Sequence, residues 1–417
     1  MADIMPDDQA CQAATRRFKE RIGGAAWDLL PQRLGELNRD IATRGILPYR
    51  NQADLLTGYS YGEFYDWDLY FENLYLSYYG IGRFCRTNLE RFLDQQHSSG
   101  FISRSLILKR ERQHFKPFLA QIALLGARQL GGFTWLQGRY FERLERYLDY
   151  WFWYCDLDKN GLCVWDSADH SGMDNQDSRA GGWGSSAIEG VDLNCYLARE
   201  LRAMAVIAEA LGLSRKAVGF TEHAQRLEQL IDQTFWDETD GFYYDRHERE
   251  GRAVRVKSVA GFIPLWALPL PQARADRLVR EHLLNPAEFW RPFPVASYAK
   301  TEPDHHQQLV ADNCNWRGPV WIPTNYMIAH GLRRAGFVAE AKDLAYRTFA
   351  MVLAETSTRE YYNAETGCGL GLDPFWGWSS LAYLMPLEQE LGYDPTDPAC
   401  PIIQPLAARC LGLRFPS

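Results

Sequence analysis

Apolar residues recur at helical spacing along most of the chain, and glycines close one segment after another. Residues 11–22 and 27–39 mix apolar and polar positions at that spacing, and an aromatic stretch at 61–71 leads into a helix at about 71–79 that stops at Gly80. The pattern predicts a helix over 84–97 with Leu89, Phe92 and Leu93 on one face, and a strongly apolar one over 117–130 closed by Gly131 and Gly132. A partner at about 134–154 turns Leu136, Phe141, Leu144 and Leu148 inward. Asp192 reads as the cap of a long helix carrying Leu193, Leu197, Leu201 and Met204, which ends at Gly212 and is answered by another at about 214–235. Residues 236–245 read as a turn between two short strands, and further helices are expected at 261–268, 272–284, 319–334, 338–355 and 379–391.

Paired helices with long, unequal and aromatic loops between them predict an all-α closed toroid. In an open solenoid, the alternative, such loops would have no common mouth at which to gather. No Gly/Ser/Pro linker divides the chain, so one domain over 1–417 is expected, with an irregular tail from about 393. Hydrophobic residues at 46% and charged residues at 24% exclude disorder.

Aromatic content changes the picture: 14 Trp, 22 Tyr and 21 Phe serve either a large core or the C–H faces of sugar rings. A net charge of −8 without a Lys/Arg run excludes a nucleic-acid partner and favours a small neutral or weakly charged ligand. No stretch reaches the roughly 20 apolar residues of a membrane span, and the start has no apolar leader, so a cytoplasmic location is expected. The 9 cysteines form no CxxC pair, which predicts reduced thiols and neither disulfides nor zinc. Asp156-Leu157-Asp158-Lys159-Asn160-Gly161 opens like a calcium loop, but its twelfth position is Ser167 rather than an acid, which predicts a plain turn. No metal or other cofactor is expected.

Two acids on separate loops carry the candidate chemistry. Asp174 lies in His170-Ser171-Gly172-Met173-Asp174-Asn175-Gln176, with Trp165 before it and Trp183 after it. A carboxyl held among such rings has its pKa raised, as a general acid requires, whereas a solvated loop carboxylate does not. Glu360 precedes Tyr361-Tyr362-Asn363 and the turn Glu365-Thr366-Gly367. Either acid alone is also a plausible turn residue; together they suit acid and base work on a sugar.

Three more clusters surround them. In Tyr65-Asp66-Trp67-Asp68, Asp68 is placed to bond ring hydroxyls above Trp67, or else Asp66 and Asp68 cap the helix that follows. In Asn315-Trp316-Arg317-Gly318-Pro319-Val320-Trp321, Arg317 is either a structural ion pair or a fork for substrate oxygens. Trp376 and Trp378 flank Gly377 as a sugar platform or as core aromatics.

With these residues in order, the chain resembles family 63 glycoside hydrolases, in size especially the short bacterial members that act on mannosylglycerate or glucosylglycerate. The resemblance is carried from about 61 to 391 by the Tyr65 to Phe71 run, Ser171 to Asn175, Val191-Asp192-Leu193, Phe235-Trp236 with Gly241 to Asp245, Trp316 to Trp321 with Asn325-Tyr326, and Glu360 to Asn363 with Thr366-Gly367. It implies an (α/α)6 barrel and inverting hydrolysis of an α-glycosidic bond, with Asp174 as general acid and Glu360 as general base. It also implies a sugar pocket drawn from Tyr65, Trp67, Asp68, Asn175, Trp183, Trp316, Arg317, Trp321, Tyr362, Trp376 and Trp378. The family's Ser-Pro-Arg after Asp-Asn is replaced here by Gln176-Asp177-Ser178-Arg179, and its Asn-Pro by Asn363-Ala364. These departures put specificity on the leaving-group side, where Arg104, Lys116 and Arg179 are the cations available for a glycerate carboxylate. Two other functions fit a helical barrel: a sugar isomerase or epimerase, which needs facing histidines, and a sugar-binding protein without turnover.

Overall fold

The computed structural model describes residues 6–50, 53–58, 62–108, 112–177, 187–309, 314–400 and 405–416. Helices α1 (Asp8–Ile22) and α2 (Gly24–Asp40) lead in, α1 starting earlier than its apolar pattern because the Asp7 carboxylate accepts the Ala10 amide at 2.7 Å. Next come α3 (Asp68–Ser77), α4 (Arg83–Asp94), α5 (Leu119–Gln129) and α6 (Arg139–Tyr150). The predicted 134–154 helix is broken at Gly138, whose φ of +70° no helix admits, so a 3₁₀ turn precedes α6 and a π-turn, Trp151–Cys155, follows it.

A single turn, α7 (Ala168–Ser171), precedes α8 (Val191–Ala210) and α9 (Ser214–Phe235). Asp192 does not cap α8. It sits in the first turn, fully buried, and its carboxylate accepts the Trp165 indole N–H at 2.9 Å, while Gly190 takes the cap position against that same indole. The hairpin expected at 236–245 pairs Trp236–Asp237 with Phe242–Tyr243. Then follow α10 (Ile263–Ala267), α11 (Gln272–Arg277, continued as a π-turn), α12 (Ile322–Arg334), α13 (Val338–Ala354), α14 (Met385–Leu391) and α15 (Leu406–Leu411). The predicted 319–334 helix begins only at Ile322, since Val320 is extended and bridges both Ala296 and Tyr362. Likewise 379–391 divides into a 3₁₀ stretch, Trp378–Tyr383, and α14, with Pro386 in the first turn of α14 where no amide is needed.

Burial alternates along this order. All residues of α3 and α10 are buried, as are nearly all of α5 and α12, whereas α4, α6, α9 and α13 bury one stripe each. Contacts run from α3 to α5, then α8, α10, α12 and the Trp378–Tyr383 stretch, which packs back on α3. The half-buried helices pack outside: α4 on α5, α9 on α8, α13 on α12, and α1 on α14. Among the described residues no helix is long and apolar enough to cross a membrane.

The inner helices also tie down the loops. Asn194 of α8 bonds both backbone groups of Cys163 (2.9 and 3.0 Å), and Asn325 of α12 bonds the Val295 amide and the Pro294 carbonyl (3.1 and 3.0 Å). A carboxamide offers a donor and an acceptor side by side, so it satisfies buried loop backbone that has no strand partner. The fully buried Glu200 of α8 accepts the Ala120 and Gln121 amides at 2.7 and 2.9 Å, closing the N-terminus of α5. The tail, expected to be irregular, carries the short helix α15 and is anchored: Arg128 donates to the carbonyls of Asp397 and Pro398, and Arg199 to those of Thr396 and Trp266.

Replacing Asn194 by Ala strands the buried Cys163 N–H and C=O and should cost about 1–3 kcal/mol. The check is the thermal unfolding midpoint, which should fall by a few degrees; an unchanged midpoint would show that the loop does not depend on this clamp.

Candidate active site

The site starts from a buried ion pair. Asp66, fully enclosed, accepts the Lys116 ammonium at 3.0 and 3.2 Å, the Lys116 amide at 3.0 Å and the Trp67 amide at 2.8 Å, with Arg104 Nε 3.9 Å away. Burial pushes its pKa up, but Lys116, Arg104 and the amide together hold it below the usual carboxylate range. Asp66 is therefore committed to Lys116, and the helix start falls at Asp68 without any side-chain cap. The ammonium also lies 5.3 Å from the centre of the Trp67 ring.

Asp68 opens α3 almost fully buried. Burial lifts its pKa to about 7 against the pull of Lys116 and Arg104, and its Oδ1 has no hydrogen-bond partner among the described residues.

Asp174 follows α7 on a turn built by small residues. Gly172 ends α7 in the left-handed region at φ +83°, and a Cβ there would lie 3.0 Å from both the Trp67 ring and Lys116 Cε. The acid loop therefore seats directly against Trp67. Asp174 is raised to about 6, chiefly by burial, while Arg104, a hydrogen bond with the Cys314 thiol and Lys116 pull it down. His170 of the same motif is structural: its Nε2 meets the His114 carbonyl at 2.7 Å, and its ring stacks on Trp151.

Glu360 begins the strand Tyr361–Tyr362, paired with Gly369–Leu370. Its Oε2 accepts the Leu372 amide at 3.0 Å and its carbonyl accepts the Trp378 indole at 2.9 Å. Gly371, at φ +73°, makes room for it, because a Cβ there would stand 2.6 Å from Glu360 Oε2.

Aromatic rings bridge the two acids. Trp67 packs 6.0 Å from Trp316 and 6.1 Å from Trp378; Trp316 stacks on Trp321 at 3.9 Å and 7°, and Trp321 on Tyr361 at 4.6 Å and 20°. The wall thus begins at the ring against the Asp174 turn and ends at the residue after Glu360. The Trp316 indole N–H, enclosed like the rest of that ring, has no hydrogen-bond partner among the described residues.

Of the other predicted residues, Tyr65 lies beside the Arg104 guanidinium at 5.5 Å, and Asn175 bonds the Trp316 amide at 2.8 Å. Arg317 pairs with Asp177 at 3.2 Å. Tyr362 turns away from the wall, its hydroxyl accepting the Arg359 amide at 2.9 Å, while strand alternation places Tyr361 in the wall. Trp376 is also remote from the wall: its indole donates to the Thr57 carbonyl at 2.6 Å, above Gly45. Trp183 and Arg179 lie outside the described residues. Lys116 is consumed by Asp66, and Arg104 contacts Asp169 as well as Asp66, so neither stands as an uncommitted cation for a carboxylate.

The family model described as mannosylglycerate hydrolase MGH1-like glycoside hydrolase domain matches residues 61–379. A mannosylglycerate hydrolase from Thermus thermophilus is 37% identical over 148 residues, which cover 36% of this chain and 34% of that protein. One from Rubrobacter radiotolerans is 28% identical over 200 residues, covering 47% and 43%. The aligned stretches thus span less than half the length of these relatives. The crystal structure of a GH63 mannosylglycerate hydrolase from Thermus thermophilus, in complex with glucose, superposes with a TM-score of 0.67 at 24% identity over 86% of this chain and 99% of its own. The neutral trehalase Nth1 of Saccharomyces cerevisiae follows at 0.64 and 17%, over 85% and 79%. The motif order and the family match over three quarters of the sequence lead to one conclusion: the chain belongs to the MGH1-like glycoside hydrolase domain family.

Proposed function

We propose that the protein is an inverting hydrolase of a small α-glucoside or α-mannoside, acting on the terminal sugar, built as one (α/α)6 toroid. The observation that carries this reading is the pairing of a half-buried carboxyl, Asp174, lifted to about 6, with Glu360 at the other end of a continuous aromatic wall. A protonated Asp174 donates to the glycosidic oxygen as the bond breaks. Glu360, its Oε2 oriented by the Leu372 amide, takes a proton from the water that attacks the anomeric carbon from the opposite face. Trp67, Trp316 and Asp68, all enclosed in this structure, are the residues that a sugar entering between the two acids would meet, through C–H contacts to the rings and a hydroxyl bonded to the Asp68 carboxyl. After turnover, solvent returns the proton to Asp174 and removes the one on Glu360.

Glycerate as leaving group is supported by the names of the relatives in Thermus and Rubrobacter, and glucose as a ligand by the superposed complex. The isomerase alternative finds no support in His114 and His170, which are enclosed, bound to backbone carbonyls and shifted to about 3 by burial.

Asp174→Ala and Glu360→Ala should each lower kcat by about 10²–10⁴ with the fold intact. Released hexose from glucosylglycerate, mannosylglycerate, kojibiose, trehalose and sucrose reads this out, with circular dichroism as the fold control. Full activity in either variant would remove that residue from its role. The pH profile supplies a second check. The acid works only while protonated, so with Asp174 at about 6, kcat/KM should decline above that pH, by about tenfold per unit. A rate that stayed level to pH 8 would rule out a carboxyl of this pKa as the donor.

A further inference from the structure

Gln176 stands where the family has serine, one of the departures that the sequence alone assigns to substrate choice. Its side chain points the other way, into the protein, and is completely enclosed. Nε2 donates to the Ser297 carbonyl at 3.1 Å and the Trp316 carbonyl at 2.5 Å, and Oε1 accepts the Ser258 hydroxyl at 2.8 Å. Both amide hydrogens and the carbonyl are in use, which leaves nothing to offer a sugar.

The neighbouring residue completes a pattern. Asn175 Oδ1 accepts the Trp316 N–H at 2.8 Å, and Gln176 Nε2 donates to the carbonyl of that same residue. The pair directly after the proton donor therefore grips both backbone groups of the indole that forms the sugar platform. Trp316 is fixed on its other side by its stack on Trp321, and its carbonyl also accepts the Ser297 hydroxyl at 2.9 Å. The hydroxyl of Ser258 lies 3.7 Å from the sulfur of Met173, so the same serine contacts the acid loop on both sides of Asp174.

We infer that Gln176 is a positioning residue, which sets the distance between the Asp174 carboxyl and a sugar lying on Trp316. A donor carried on a mobile turn loses general-acid catalysis steeply with small displacements, because the proton moves only along a short, aligned contact with the leaving oxygen. A sugar seated on Trp316 and a donor hung from Trp316 by two carboxamides share one reference frame. The inference rests on the proposed role of Asp174 as general acid.

The test uses leaving groups that differ in their need for that proton. An alcohol leaves only when protonated, whereas fluoride leaves a glycosyl fluoride with little help. In the full-length protein, Gln176→Ala should lower kcat on glucosylglycerate or mannosylglycerate by about 10–100-fold, and on α-D-glucosyl or α-D-mannosyl fluoride by no more than about threefold. Ser258→Ala, which keeps Gln176 but removes the donor to Oε1 together with the hydroxyl's contacts to the Ala260 amide and the Met173 sulfur, should produce a smaller loss with the same bias and guards against a Gln176 variant that fails to fold. Equal losses on both substrate types, or none on either, would reduce Gln176 to a packing residue. A wild-type protein that hydrolyses neither type would instead overturn the hydrolase reading, and this inference with it.

Discussion

The ion pair of Asp66 with Lys116 is the constraint on which the site is built. Enclosing two opposite charges costs several kcal/mol of hydration each, which geometry alone can offset. Here the offset comes from the ammonium, two backbone amides and the nearby Arg104 around one carboxylate. The consequence is positional. Asp66 holds the Trp67 amide, Lys116 holds the Trp67 ring, and Gly172 lies against both, so the start of α3 and the acid loop share one fixed point. Removing either charge alone would leave the other buried and uncompensated.

From that point the structure extends outward through stacked rings instead of further charges. Trp67, the pair Trp316 and Trp321, and Tyr361 come from three separate segments of the chain, and their rings form a wall that no single segment could supply. Burial that desolvates the wall also lifts Asp68 and Asp174 above the ordinary carboxylate range, so the same packing both forms the wall and raises the affinity of these carboxyls for a proton. The inner helices contribute carboxamides, Asn194 and Asn325, that keep the loop backbones satisfied as they cross the ring.

Much of this was legible before any coordinates. Helical spacing located most of the helices, because an amphipathic stripe is a local property, and the short motifs marked the loops, because turns and indoles have strong compositional signatures. What escaped notice was set by contacts far apart in the chain. Asp66 and Lys116 lie 50 positions apart, so Asp66 read equally well as a helix cap and Lys116 as a spare cation. Asp192 read as a cap because nothing nearby shows that Trp165 claims its carboxylate. Tyr361 and Tyr362 are interchangeable by composition, and only the pairing with Gly369–Leu370 and Val320 decides which faces the wall. Gln176 looked like a specificity residue for the same reason: its three partners, Ser258, Ser297 and Trp316, are all distant in sequence.

The central claim is that Asp174 and Glu360 act from opposite faces of one sugar, with room for a water between Glu360 and the anomeric carbon. Proton NMR of the first product formed from an α-glycoside tests this most directly, before mutarotation mixes the anomers. The account predicts that the β-hexose signal appears first. An initial α-hexose signal would mean retention, and with it a nucleophilic carboxylate about 5 Å from the acid in place of a general base.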